Sequence, residues 1–110
     1  MFVYITGGRI INPTYDDWLM IGDSAQHYIG WEFFRHTPLF QWPIADNPKL
    51  GLEVASSIVF TDSIPIAAFI LKPLNYFLPA TFQYFGLWIW LCFVLQAFFA
   101  WKLLSKFVSD

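Results

Sequence analysis

Between Lys72 and Lys102 the chain runs for 29 residues, Pro73 to Trp101, without a formal charge. Crossing a bilayer takes roughly 20 mostly apolar residues. The stretch "YFGLWIWLCFVLQAFFAWKLL" supplies them, and the pattern predicts a transmembrane helix over residues 84–105. Tyr84, Trp88, Trp90 and Trp101 suit the interfacial aromatic belts, with a deeper place open to Trp90. Gln96 is the strongly polar side chain inside the stretch and is expected to bond within a helix bundle. Composition agrees, because 13% charged residues is about half of what an ordinary soluble domain carries. At 22% of 110 residues, the aromatic side chains exceed what so small a core can hide. Lipid is the expected cover, and an all-α integral membrane fold follows.

Lys102 and Lys106 follow the span, so the positive-inside rule places its C-terminal end in the cytoplasm, with residues 106–110 as a cytoplasmic tail. Residues 9–83 then lie outside, with seven acids against four bases. "MFVYIT" is apolar, short and without a basic leader, so residues 1–8 read as the end of a truncated transmembrane helix rather than a signal peptide. The chain is accordingly expected to be a piece of a larger multi-pass protein. Residues 54–83 are apolar, but only nine uncharged residues separate Asp62 from Lys72, and Pro65 and Pro73 would interrupt a helix. Interfacial or re-entrant helices are expected there.

The net charge of -2 and the lack of a basic run give no phosphate footprint, so no nucleic-acid partner is expected. Cys92, the lone cysteine, excludes an internal disulfide and sits in apolar surroundings that keep a thiol inert.

Polar variety concentrates in residues 9–53, an acidic external loop carrying an amphipathic helix over 24–36. That helix could lie at a membrane surface or pack beneath other helices, since Tyr28, Trp31, Phe33 and Phe34 spread over more than half its circumference. "TPLFQWPIADNPKLG" has three prolines and reads as a loop hugging the surface. Asp23 with Gln26 three residues on has the form of a capping box. The same carboxylate could be held out for chemistry. His27 is either an anchored ring or a polar group of a site. Nine residues separate His27 from His36, too poor a helical match for shared metal ligation, and no metal site is expected from the spacing. Arg35 and His36 are either a solvated helix end or a phosphate contact. Asp46, Glu53 and Asp62 fit loops, but the flanks of Asp62, "IVF" and "SIPI", are so apolar that its carboxylate needs a reason to be there.

The segments "GDSAQHYIGWEFFRH", "QWPIADNPKLGLE", "SSIVFTDSIPI" and "FQYFGLW" together resemble the N-terminal region of a bacterial multi-pass membrane protein family of unassigned function. That family in turn resembles GT-C glycosyltransferases, which take sugars from polyprenyl-phosphate donors. The likeness spans roughly residues 7–105. It implies a first external loop whose acid acts as general base or metal ligand, and by position Asp23 matches that acid. Ser24 follows it, so the paired acidic signature of several GT-C families is absent and a divalent metal ion is not required. The resemblance further implies that His27, Arg35, His36 and Asp62 bind substrate, that the platform 54–83 receives the lipid chain, and that the protein sits in a bacterial cytoplasmic membrane. The leading expectation is a fragment of a GT-C-like transferase working in envelope glycan synthesis, inactive alone, with membrane lipid and further spans as partners. Its rivals are a non-enzymatic membrane subunit or assembly factor, and a transporter or flippase segment with Asp62 and Gln96 along the path.

Overall fold

The computed structural model describes residues 1–51 and 56–108. It is mostly helical and divides into two compact units: Met1–Tyr15 with Thr81–Asp110, and Asp16–Ala80.

In the first unit, helix α1 (Phe2–Thr6) ends at Gly7, which turns left-handed at φ 69° and donates its N–H to Val3 O. Gly8 repeats the left-handed turn at φ 72° and leads into a 3-10 turn, Arg9–Ile11. Side chains rarely adopt that backbone, so the glycine pair is what lets the chain reverse within two residues. Gln83 then ties this turn to the long helix that follows. Its buried amide donates to the Ile10 and Asn12 carbonyls at 2.8 and 2.7 Å, and its oxygen accepts from Gly86 N–H at 2.9 Å. Gly86 is a contact glycine, since a Cβ there would collide with the Ile10 carbonyl.

The long helix, Phe85–Val108, has 24 residues. At about 1.5 Å per residue it is roughly 36 Å long, enough for a hydrocarbon core of about 30 Å. It is the one described helix long and apolar enough to cross a membrane, and none of its most apolar window is buried in the protein. The helix extends past the expected end of the span at residue 105, running on through Lys106 to Val108. Leucine, lysine and phenylalanine there carry no breaker to stop it.

The second unit is built around helix α2, Ser24–Arg35. Tyr28, Trp31, Phe34 and Arg35 are its buried face, at the i, i+3, i+6 and i+7 spacing of one helical side. Of the two placements open to the sequence, the helix takes the packed one: Trp31 and Phe34 are both 0% exposed. Phe34 meets Phe69 of helix α3 (Pro65–Leu71) edge to face at 5.4 Å between ring centres. Gly30 lets the turn at Thr61–Ser63 approach, because a Cβ would collide with the Thr61 side chain and fall 2.5 Å from Ser63 Oγ.

Two departures from the all-α expectation and from the helical platform are visible. Asp46–Asn47 and Ser56–Ser57 form a two-residue antiparallel ladder, β1 and β2, supported by Ser57 Oγ and Ile58 N–H donating to Ala45 O. Residues 58–77 fold as short pieces, with 3-10 segments Ile58–Thr61 and Lys72–Phe77 flanking α3. At seven residues α3 is about 10 Å long, far short of a crossing. Glu53 and the start of the expected 54–83 platform lie outside the described residues.

Candidate functional site

The N-terminal half of α2 and the turn at residues 61–64 bring His27 against the turn that carries Asp62. His27 Nδ1 lies 2.9 Å from the Thr61 carbonyl. A carbonyl only accepts, so Nδ1 carries the proton and Nε2 keeps a lone pair in the neutral ring. The contact is returned two residues on, where Ser63 Oγ donates to the His27 carbonyl at 2.7 Å. Thr61 Oγ1 and Ser63 Oγ lie 2.7 Å apart in the buried centre of this clasp.

The clasp is held on strained backbone. Asp62 and Ile64 both have φ of 50°, the left-handed region that costs a β-branched isoleucine most. Between them Ser63 is fully buried. The strain turns Ser63 inward and leaves the Asp62 carboxylate exposed. Such strain persists only where surrounding contacts over-determine it, and the bonds to His27 do that.

Asp23 departs from the expected capping box. Its backbone is already helical, at φ -66° and ψ -25°, and its side chain makes no cap hydrogen bond. Gly22, at φ 65°, starts the turn earlier. Backbone bonds Ala25 N–H to Gly22 O and Gln26 N–H to Asp23 O close it, and Ser24 Oγ donates to Ile21 O at 2.6 Å. The Asp23 carboxylate is therefore exposed and unspent among the described residues. It lies one helical turn before His27, on the same side of α2.

Arg35 is committed elsewhere. It is 4% exposed and donates from Nε to Asn75 Oδ1 at 2.6 Å, from Nη1 to Ala80 O at 3.1 Å and from Nη2 to Pro79 O at 2.9 Å. A longer contact of 3.5 Å reaches Glu32, and the guanidinium stands 5.7 Å from the Trp31 ring centre. With its donors so engaged, it acts as a bracket for residues 75–80 rather than as the expected phosphate ligand. His36 caps the end of α2, with Nδ1 2.8 Å from the Glu32 carbonyl, and its exposed ring sits beside the Glu32 carboxylate at 3.6 Å.

Tyr28 shows the electrostatics of this helix. Burial, with the nearby charges of Glu32 and Asp16, pushes its phenol up to about 12. Among the described residues no three His, Cys, Asp or Glu side chains converge to hold a metal ion. Asp23, His27 and Asp62 do not make such a set.

In the sequence Lys72 stands only as the border of the uncharged stretch. In the fold it is buried, donates from Nζ to Thr37 Oγ1 at 2.7 Å and lies 4.0 Å from the Phe34 ring centre. Burial pulls its ammonium below the usual lysine range. The signal is present in "FILKPLNYF", where a lysine has only apolar neighbours over three residues to its N-terminal side.

Fold and site define a class: a helical chain with one membrane-length helix, and a separate helical unit presenting an acid and a histidine beside a strained turn. The chain belongs to the DUF6311 family, a domain of unknown function, which it matches over residues 1–110. No curated protein and no solved structure matches it.

Proposed function

We propose that the chain is part of a GT-C-like membrane glycosyltransferase that takes a sugar from a polyprenyl-phosphate donor, with Phe85–Val108 crossing the bilayer and Asp23 as general base. The observation that carries this reading is the free Asp23 carboxylate at the head of α2, released from the capping role its position would give it. A polyprenyl phosphate is already a good leaving group. The remaining work is to remove a proton from the acceptor hydroxyl as its oxygen bonds to the anomeric carbon, while the carbon–oxygen bond to phosphate breaks. A carboxylate within hydrogen-bond reach takes that proton. His27, held through Nδ1 by Thr61, would steady the departing phosphate when its Nε2 takes up a proton. Arg35 has no part in the chemistry and keeps the unit folded.

A second reading rests on a separate observation. Met1, Phe2, Trp90, Phe93, Gln96 and neighbouring alanines line an apolar groove of about 500 Å³ along the long helix, as a subunit that packs against another helix would present. Deletion of the gene separates the two readings when complemented in parallel with wild type and Asp23→Asn. Loss of a surface glycan, restored by wild type and not by Asp23→Asn, supports transfer. Full restoration by the Asn variant supports the packing subunit.

A further inference from the structure

The Lys72 pocket lies in the second unit and is not used by the chemistry of sugar transfer. Leu39, Ile44, Phe69, Lys72 and Pro73 line a cavity of about 200 Å³. Lys72 is 6% exposed. Its bonded partner, the Thr37 hydroxyl, spends its own proton on the Phe34 carbonyl at 2.8 Å, so it can only accept from Nζ. Among the described residues no carboxylate pairs with Lys72, because the ion pairs there are those of Glu32 with Arg35 and His36. One positive charge is thus held against a ring face and a hydroxyl, at the wall of a largely apolar cavity. A buried charge without a counter-ion is costly.

The surroundings of the cavity say where a counter-ion would come from. Leu39 and Ile44, two of its walls, bound a loop whose tip is Phe40 and Trp42, 95% and 92% exposed. Two large aromatic side chains held out almost fully at a loop tip, one of them a tryptophan, are the pattern of a segment seated at the membrane–water interface. Lipid head groups occupy that depth, and anionic ones are drawn to lysine.

We propose that this pocket holds one anionic phospholipid, with its phosphodiester on Lys72 Nζ and its hydrocarbon against Leu39, Ile44 and Phe69. A phosphodiester carries a single negative charge and neutralises the single ammonium. The loop 38–44 dips into the leaflet and brings the lipid to the lysine. The pocket takes Phe69, Lys72 and Pro73 from the 54–83 stretch but does not use Asp23 or His27, so either proposal can fail alone.

The test is native mass spectrometry of the full chain released from non-ionic detergent micelles doped with equal phosphatidylglycerol and phosphatidylcholine. One phosphatidylglycerol should be retained with a preference of about tenfold or more, the fold-change of a charge-assisted contact. Lys72→Met should bring the two lipids to parity, and Lys72→Arg should keep the preference. Leu39→Trp fills the cavity with the lysine intact and should also abolish it, which covers a Lys72→Met chain that fails to fold. A preference that survives both Lys72→Met and Leu39→Trp, or that disappears instead with Lys102→Ser and Lys106→Ser, overturns the proposal. So does equal retention of a fatty acid, since a carboxylate would then be the occupant.

Discussion

Replacing Arg35 with lysine separates a structural arginine from a phosphate-binding one, because the charge stays while the geometry goes. In the folded unit the guanidinium fork reaches three acceptors on separate residues: Asn75 Oδ1, Pro79 O and Ala80 O. A lysine ammonium is a compact point charge and cannot span them. With one contact kept and two lost, at about 1.5 kcal/mol or more each for bonds to a charged donor, the loss is about 3 kcal/mol. In a domain with a total stability of about 5–15 kcal/mol that is a large fraction. For a unit of this size it corresponds to a fall in Tm of about 12–24 °C. Thermal unfolding of the detergent-solubilised chain, followed by far-ultraviolet circular dichroism and by proteolysis between residues 75 and 80, reads it directly. An Arg35→Lys chain that melts within about 2 °C of wild type, well under what one lost bond gives, would refute the bracket and return Arg35 to ligand duty.

Other outcomes follow from the same contacts. Gly30→Ala should destabilise the second unit by about 1–3 kcal/mol as its new methyl is driven against Thr61 and Ser63, measured as a drop in Tm; an unchanged Tm would contradict the close approach. Asp23→Ala should leave Tm nearly unaltered, because no cap bond is lost, whereas the loss of a working cap would show as about 1 kcal/mol. Tyr28 has an ordinary phenol value near 10 when unfolded and about 12 when folded, so the unfolded chain gives up its proton first. Its contribution is full below about pH 10 and is lost as pH rises to about 12; Tyr28→Phe should flatten that part of the stability curve in an alkaline melt series. For orientation, a single cysteine at exposed Lys49 in a Cys92→Ser background should react with an impermeant maleimide on intact cells, and labelling only after permeabilisation would reverse the topology.

Some features are plain in the sequence and others are hidden for physical reasons. The long helix is legible because a 29-residue uncharged run has few alternatives. The buried face of α2 is half legible: aromatic spacing predicts the helix, but whether its cover is protein or lipid depends on Phe69, more than thirty residues away. Asp23 misleads, because a capping box is a local pattern. The positive φ of Gly22 starts the turn a residue early, leaving Asp23 already helical with no cap bond to the N–H groups ahead of it. The partners of Arg35 lie at 40 to 45 residues' separation, beyond any local pattern. The clasp of His27 on Thr61 and Ser63 is invisible for the same reason. Asp62 stands out for its apolar flanks, and the structure answers that oddity with a strained turn that leaves its carboxylate exposed while Ser63 beside it is buried. Lys72 meets the same criterion, but its place at the edge of the uncharged run disguises it as a boundary.

The most direct measurement of the proposed function is sugar transfer in vitro by the transferase of which this chain would be part. Purified wild type and Asp23→Asn, matched for helicity and Tm, are given a radiolabelled polyprenyl-phosphate sugar and an acceptor. Loss of a general base predicts a rate for Asp23→Asn lower by about 10² or more with the fold intact. Turnover by the Asn variant at the wild-type rate would contradict it.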